Sequence, residues 1–309
     1  MQLAKTYVTQ EYPYIIPIQC IAHHVQLIAT DIIKKTSFGS QVLSKCQEFV
    51  THFQSSHMSG AKLRDEIITL LIKGGGLKSA VKTRWCSAWD CCNSLLKLEP
   101  VLLNMIENDP RSLNDKLRNY ITSREFWANV ECLYKILEPA KTAVQTVEES
   151  NTKIADAFLI LIKIAIAIKA LPTTETTLER LEFRKKCIIF YNKRWAEFDT
   201  DFYLLAYFLH PKYHGKGLTS EIFQKILQKA LSIWKSQGGG ENSARELTAQ
   251  IHNYDLKKPS YNSLFQDHLE LPETWWAACK LQHHHLQKLA LLLLAITSHN
   301  AGCERISQF

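Results

Sequence analysis

Glycine and proline are scarce, with 11 and 9 in 309 residues. That excludes collagen-like and proline-rich linker chains. No apolar run is long enough to cross a bilayer. The most apolar stretch, residues 154–171, is interrupted by Asp156, Lys163 and Lys169, and residues 289–296 are far too short. Asp156 and Lys163 lie seven apart and share one polar face of a helix, so a buried helix with a polar stripe is expected and no membrane contact. The opening residues MQLAKTYVTQEYPY have no apolar run behind a basic start, so no secretory signal is expected. The nine cysteines are odd in number and irregular in spacing. Free thiols in a reducing, intracellular setting are the simplest reading. A strong charge of either sign is also missing. The 37 Lys+Arg against 30 Asp+Glu give +7, which fits a polyanionic partner without requiring one and excludes a histone-like binder.

What is present is an ordinary globular composition, 46% hydrophobic and 22% charged, too apolar for a disordered chain. Length alone suggests about two domains. Apolar spacing predicts helices over 23–35, 41–54, 61–73, 87–105, 123–149 (kinked or broken at Pro139), 153–171, 178–197 and 220–235, and a long helical region over 274–298. Residues 14–20 (YIIPIQC) are the best strand, with Pro17 marking an edge or a break. Residues 236–243 (SQGGGENS) read as the most flexible loop. There is no internal repeat and no heptad array. A lone strand in a helical chain is anomalous, because one strand makes no stable sheet.

Several short patterns invite chemistry. GGGLKS (74–79) resembles a phosphate loop only loosely, since its lysine follows Leu77 instead of a glycine, and it is read as a plain loop. Cys20-x-x-His23 is half a zinc site, and the nearest second pair, His52 and His57, completes no finger. No structural zinc is therefore expected. His283, His284 and His285, as three successive helical residues, point about 100° apart and do not converge on one metal, so a partly exposed face is expected. Arg84-Trp85 can grip nucleic acid, the guanidinium on phosphate and the indole on an exposed base. The alternative is a tryptophan anchoring a helix to the core. Arg180, Arg184, Lys185, Lys186, Lys193 and Arg194 are interleaved with Phe183, Phe190, Tyr191 and Trp195, which suits a backbone-tracking surface or simply a solvated helix face.

In order along the chain, CIAHHVQLI (20–28), TRWCSAWD (83–90), EPAKTAVQTVEESNTKIADAF (138–158), AYFLHPKY (206–213), ETWW (273–276) and HNAGCERISQF (299–309) resemble the hAT superfamily of DNA transposases and the host proteins descended from them. The resemblance implies a mainly α chain, a large helical insertion domain flanked by remnants of an RNase H-like α/β domain. Residues 1–38 would be a strand-and-helix remnant, 39–275 the all-helical insertion, and 276–309 the C-terminal RNase H-like helix with the start of the dimerisation region. It implies three acidic residues holding two Mg²⁺ ions for phosphodiester cleavage and strand transfer. Glu304 matches the third of these as catalytic and metal ligand. The first two would fall at or before Met1. Arg84 and Trp85 match the family's Arg-Trp motif, whose tryptophan supports a flipped-out base. Cys20 and His23 match its active-site-adjacent motif. Arg184, Lys185 and Lys186 are expected to add DNA contacts. The partners implied are DNA and a second copy of the chain, in the nucleus. Three readings stay open. One is an inactive transposase-derived fragment that binds DNA and self-associates. The second is an active transposase, requiring Mg²⁺, whose N-terminal part is missing. The third is a helical protein-interaction scaffold without DNA binding.

Overall fold

The computed structural model describes residues 2–18, 20–81, 86–148, 153–174, 176–280 and 283–296, and every regular element longer than a bridge among them is helical. The helices are α1 (Gln2–Glu11), α2 (Ile21–Lys34), α3 (Ser37–Ser55), α4 (His57–Thr69), α5 (Cys86–Lys97), α6 (Glu99–Asn108), α7 (Asp115–Ile121), α8 (Arg124–Glu148), α9 (Ile154–Lys169), α10 (Leu178–Ala196), α11 (Thr200–Leu209), α12 (Ser220–Ser236), α13 (Glu241–Asp255), α14 (Pro272–Ala278) and α15 (His285–Leu294). The chain is mainly α, as its periodicity predicts.

Several expectations are corrected. Residues 14–18 and 20 form turn and coil, and Tyr14 and Ile15 are exposed. An extended segment needs a neighbouring strand for its N–H and C=O groups. The described residues supply none, while Pro13 and Pro17 remove two donors. The Tyr14 carbonyl accepts instead from Gln237 Nε2 at 2.7 Å. The helix expected over 87–105 is two helices, because the chain turns at Leu98 and the second starts at Glu99, with Pro100 in its first turn. Conversely, α8 runs through Pro139 without ending, its buried face continuing on both sides through Leu133, Ile136, Leu137, Ala140 and Ala143. Among the described residues, the helical region expected over 274–298 holds two short helices, α14 and α15.

Two compact bodies partition the chain. One comprises residues 23–145 and 162–194. In it α3 packs against α4 and α5, α4 against α6, and α6 against α7. Thr36 shapes the corner between α2 and α3. Its hydroxyl donates to the Ile32 carbonyl at 2.6 Å and accepts from Gly39 N at 2.9 Å, a cap typically worth about 1 kcal/mol. Phe183 of α10 packs on Phe38 with ring centroids 4.4 Å apart, and both are fully buried. Asp31, 2% exposed, is held by Lys35 Nζ on one carboxylate oxygen at 2.6 Å and by Arg194 on the other at 2.8 Å.

The other body comprises residues 1–22, 146–161 and 195–309. It is organised around α11, whose residues from Phe202 to Leu209 are all buried. A helix that is apolar on every side belongs in a core. Helices α12 and α15 pack on it, α13 lies against both of those, and α14 lies against α15. The last carbonyls of a helix have no partner within it. Here Tyr254 Oη of α13 donates to the Phe208 carbonyl at 3.1 Å, and Trp276 Nε1 of α14 donates to the Leu209 carbonyl at 2.9 Å. Their rings stack at 5.1 Å and both residues are wholly buried. Between α12 and α13 only residues 237–240 intervene. Gly238 adopts φ +84°, and a Cβ on Gly239 would lie 2.2 Å from the Trp234 ring, so the glycines of this turn answer to backbone conformation and to close packing.

Candidate functional site

The body that contains α2 and α3 carries a cavity of about 790 Å³ between them. While α2 turns Val25, Ile28, Ala29 and Ile32 into the core, its neighbouring flank presents His23, Gln26, Thr30 and Lys34 to the cavity. Opposite, α3 offers Ser40, Leu43, Ser44 and Gln47, a stripe at helical spacing. The remaining wall is Ala80 and Val81 of the glycine loop and Ala88 of α5. The loop is pinned from three directions. Gln47 Nε2 donates to the Ala80 carbonyl at 2.6 Å, Lys78 N donates to Ser94 Oγ at 2.9 Å, and Val81 N donates to Ser87 Oγ at 2.6 Å.

Two patterns far apart in sequence thus border one cavity. His23 supplies one edge, and the residues flanking the Arg-Trp pair, Val81 before it and Ala88 after it, supply another. Arg84 and Trp85 themselves lie outside the described residues. Hydroxyls, amides, one imidazole and one ammonium are set on apolar walls, and no carboxylate is among the lining residues. Such a lining offers hydrogen bonds to a planar or anionic group. It offers neither a carboxylate base nor a hard-cation site. The volume falls within the usual range for a small ligand or a nucleotide portion. Sequence reasoning missed Gln26, Thr30, Ser44 and Gln47. Their only signal is polar residues recurring at helical spacing beside apolar ones, and it acquires meaning once the two helices face each other.

The basic run on α10 divides by partner. Arg194 is committed to buried Asp31, Arg180 Nε donates to Asn129 Oδ1 at 2.8 Å, and Lys186 lies 3.7 Å from Glu182. Lys185 and Lys193 are exposed, and Arg184 is half-buried. The interleaved aromatics Phe183 and Tyr191 are buried, and burial pushes the Tyr191 hydroxyl up. The outer face of α10 therefore offers ammonium groups, with these two rings turned inward. Cys20 is half-buried just before α2.

A second cavity, of about 410 Å³, lies in the body built on α11 and is lined by Lys153, Asp156, His210, Lys212 and Asp267 among others. Its charges are mutually matched. Lys212 pairs with Asp267 at 2.7 Å and Lys153 with Glu273. Tyr213 Oη donates to Asp156 Oδ1 at 2.5 Å, and burial together with that contact raises the Tyr213 hydroxyl. Burial would raise Glu273, but the Lys153 ammonium outweighs it and the net shift is downward. These residues read as a structural knot.

The paired Mg²⁺ ions implied by the resemblance need converging carboxylates. Among the described residues the one group of three potential ligands is Glu246, His283 and His285, a nitrogen-rich set that does not fit Mg²⁺. Glu304, like Arg84 and Trp85, lies outside the described residues. No helix among the described residues is long and apolar enough to cross a membrane.

No curated protein matches the chain. Residues 18–136 match the family model described as the ZBED1 RNase-like helical domain. The match covers well under half of the chain and takes in every residue that lines the larger cavity. This stretch is therefore similar to the helical domain of a transposase-derived family, which supports a broad relation of the chain to hAT-derived proteins.

Proposed function

We propose that the chain is the helical, DNA-binding portion of a hAT transposase-derived protein, and that the cavity between α2 and α3 receives an unstacked nucleotide. The observation that carries this reading is the meeting of His23 with both flanks of Arg84-Trp85 at one carboxylate-free cavity, inside the stretch that matches the family model. In this reading Trp85 supports the displaced base, Arg84 holds a phosphate, and Gln26, Thr30, Ser44 and Gln47 offer donors and acceptors to base edges. Exposed Lys185 and Lys193, with Arg184 and Lys186, attract the backbone. Residues 39–275 are the insertion, 1–38 and 276–309 belong to an RNase H-like domain, and the C-terminal region associates with a second copy in the nucleus. By itself this chain binds and does not cut, because Glu304 is the sole acidic residue that it contributes to a two-metal site by resemblance.

The test is fluorescence anisotropy with duplex DNA, intact or carrying one mismatched base, between roughly 50 and 200 mM salt. Binding should weaken linearly on a log–log plot. Arg84→Ala should reduce the slope by about one. Trp85→Ala should weaken binding to the mismatched duplex by about 1–3 kcal/mol, the usual value of one base stacked on an aromatic ring. Affinity independent of salt, or identical in the variants, would instead favour a protein-binding scaffold.

A further inference from the structure

Three adjacent histidines on one helix do not converge, but helix α15 begins only at His285, and His283 precedes it. Freed from helical geometry, the rings of His283 and His285 lie nearly parallel, 24° apart with centroids separated by 5.8 Å. Both face Glu246 of α13. His285 Nε2 is 2.8 Å from Glu246 Oε2, and His283 Nδ1 is 3.5 Å from the same oxygen.

The framework that holds them is specific. Gln250, one turn beyond Glu246 on the same face of α13, donates from Nε2 to the His283 carbonyl at 2.8 Å and accepts at Oε1 from Leu286 N at 2.8 Å. One side chain thus fixes both ends of the segment that carries the imidazoles. Trp234 packs edge-on against His285 at 5.1 Å and is itself anchored by donating to Ser243 Oγ at 3.0 Å. His285 Nδ1 is buried without a hydrogen-bond partner, so Nε2, the atom turned toward Glu246, is the ring's polar outlet. His285 is mostly covered, whereas the His283 side chain is 54% exposed and free to adjust.

We propose that Glu246, His283 and His285 form a zinc site with three protein ligands and one open position taken by water. Their ligand atoms all lie within 4.8 Å of one another. Bonds of about 2.0–2.1 Å in a tetrahedron separate ligand atoms by roughly 3.3 Å, which the observed distances bracket, and rotation of exposed His283 closes the remainder. Two imidazoles and one carboxylate suit Zn²⁺, while Mg²⁺ and Ca²⁺ prefer oxygen throughout. Binding would cross-link α13 to the start of α15. The site is separate from the proposed DNA cavity, and neither proposal depends on the other.

The experiment uses the purified, chelator-treated full chain, with Zn²⁺ and Co²⁺ as probes. Expected are one Zn²⁺ bound per chain by calorimetry, a higher melting temperature with Zn²⁺, and the visible absorption of four-coordinate Co²⁺. In His283→Ala and Glu246→Gln the affinity should fall at least tenfold and the Co²⁺ bands should vanish. Far-UV circular dichroism verifies folding, and His283→Gln replaces any variant that fails it. Equal Zn²⁺ affinity in wild type and both variants, or absence of the Co²⁺ bands in wild type, overturns the site.

Discussion

Lowering the pH from 7 to 5 should destabilise the body built on α11, chiefly through the buried imidazole of His210. His210, at the end of α11, is 4% exposed. Its Nδ1 accepts from Lys212 N at 3.3 Å, and its ring lies against Tyr213 at 4.7 Å and Phe265 at 6.0 Å. Burial drives its pKa down, and Lys212 and Lys153 push the same way. Asp156 and Glu273 oppose them, and the result is about 4. In the unfolded chain the value is near 6.5. Between those two values the unfolded chain binds more protons, so stability is complete above about pH 6.5 and is lost as the pH falls toward 4. Integrated from pH 7 to 5, the loss is about 2 kcal/mol. At roughly 2–4 °C per kcal/mol for a body of this size, the melting temperature should drop by about 4–8 °C. His210→Asn carries no proton to gain, so its stability should fall less over the same interval by that 2 kcal/mol. Urea unfolding of both proteins at pH 7, 6 and 5 measures the difference directly. His214 is also lowered by burial and contributes in the same direction, which is why the comparison with the variant is decisive and the wild-type slope alone is not. Parallel pH profiles for the two proteins would refute the reasoning.

Two further outcomes follow from the other body. Arg194→Ala leaves the buried carboxylate of Asp31 with Lys35 alone, and should cost about 3 kcal/mol in urea unfolding; a loss under about 1 kcal/mol would show that Arg194 is a surface charge after all. Cys46 and Cys91 are fully buried. A hydrogen bond with Cys92 and burial raise the Cys46 thiol well above its usual range, and burial pushes Cys91 up to about 12. Iodoacetamide mapping of the native chain should modify half-buried Cys20 before Cys46 and Cys91, which stay protected until denaturant is added; labelling of all three at one rate would contradict the packing.

Most helices were readable because their apolar residues recur at helical spacing, and the misreadings share causes. Residues 14–20 have the β-branched content of a strand, but strand formation depends on a partner that local composition does not encode. Helix α11 has no polar face, so it shows no period to detect. Helix α13 does carry a stripe, Leu247, Ile251 and Tyr254, yet the glycines just before it carry the stronger local signal, that of a loop. Helical geometry would splay the histidine triplet, but helix α15 starts at His285, two residues after His283, so that geometry does not apply. At the candidate cavity the individual patterns were visible. Their meeting was not, because His23 and Ala88 are joined only by the packing of α2, α3 and α5. The lost signal on α10 is instructive too. Its basic residues looked alike as letters, but Arg194 is drawn inward by an acidic residue 163 positions away.

The paired donors at the end of α11 have a consequence for how this stretch can vary. Tyr254 and Trp276 reach two successive carbonyls, those of Phe208 and Leu209, and each carbonyl's direction is set by its register in the helix. Inserting or deleting one residue within α11 would rotate the end by about 100° and shift it by about 1.5 Å, carrying both acceptors away from donors fixed on two other helices. Segment 206–213 can therefore exchange one side chain for another far more readily than it can change length.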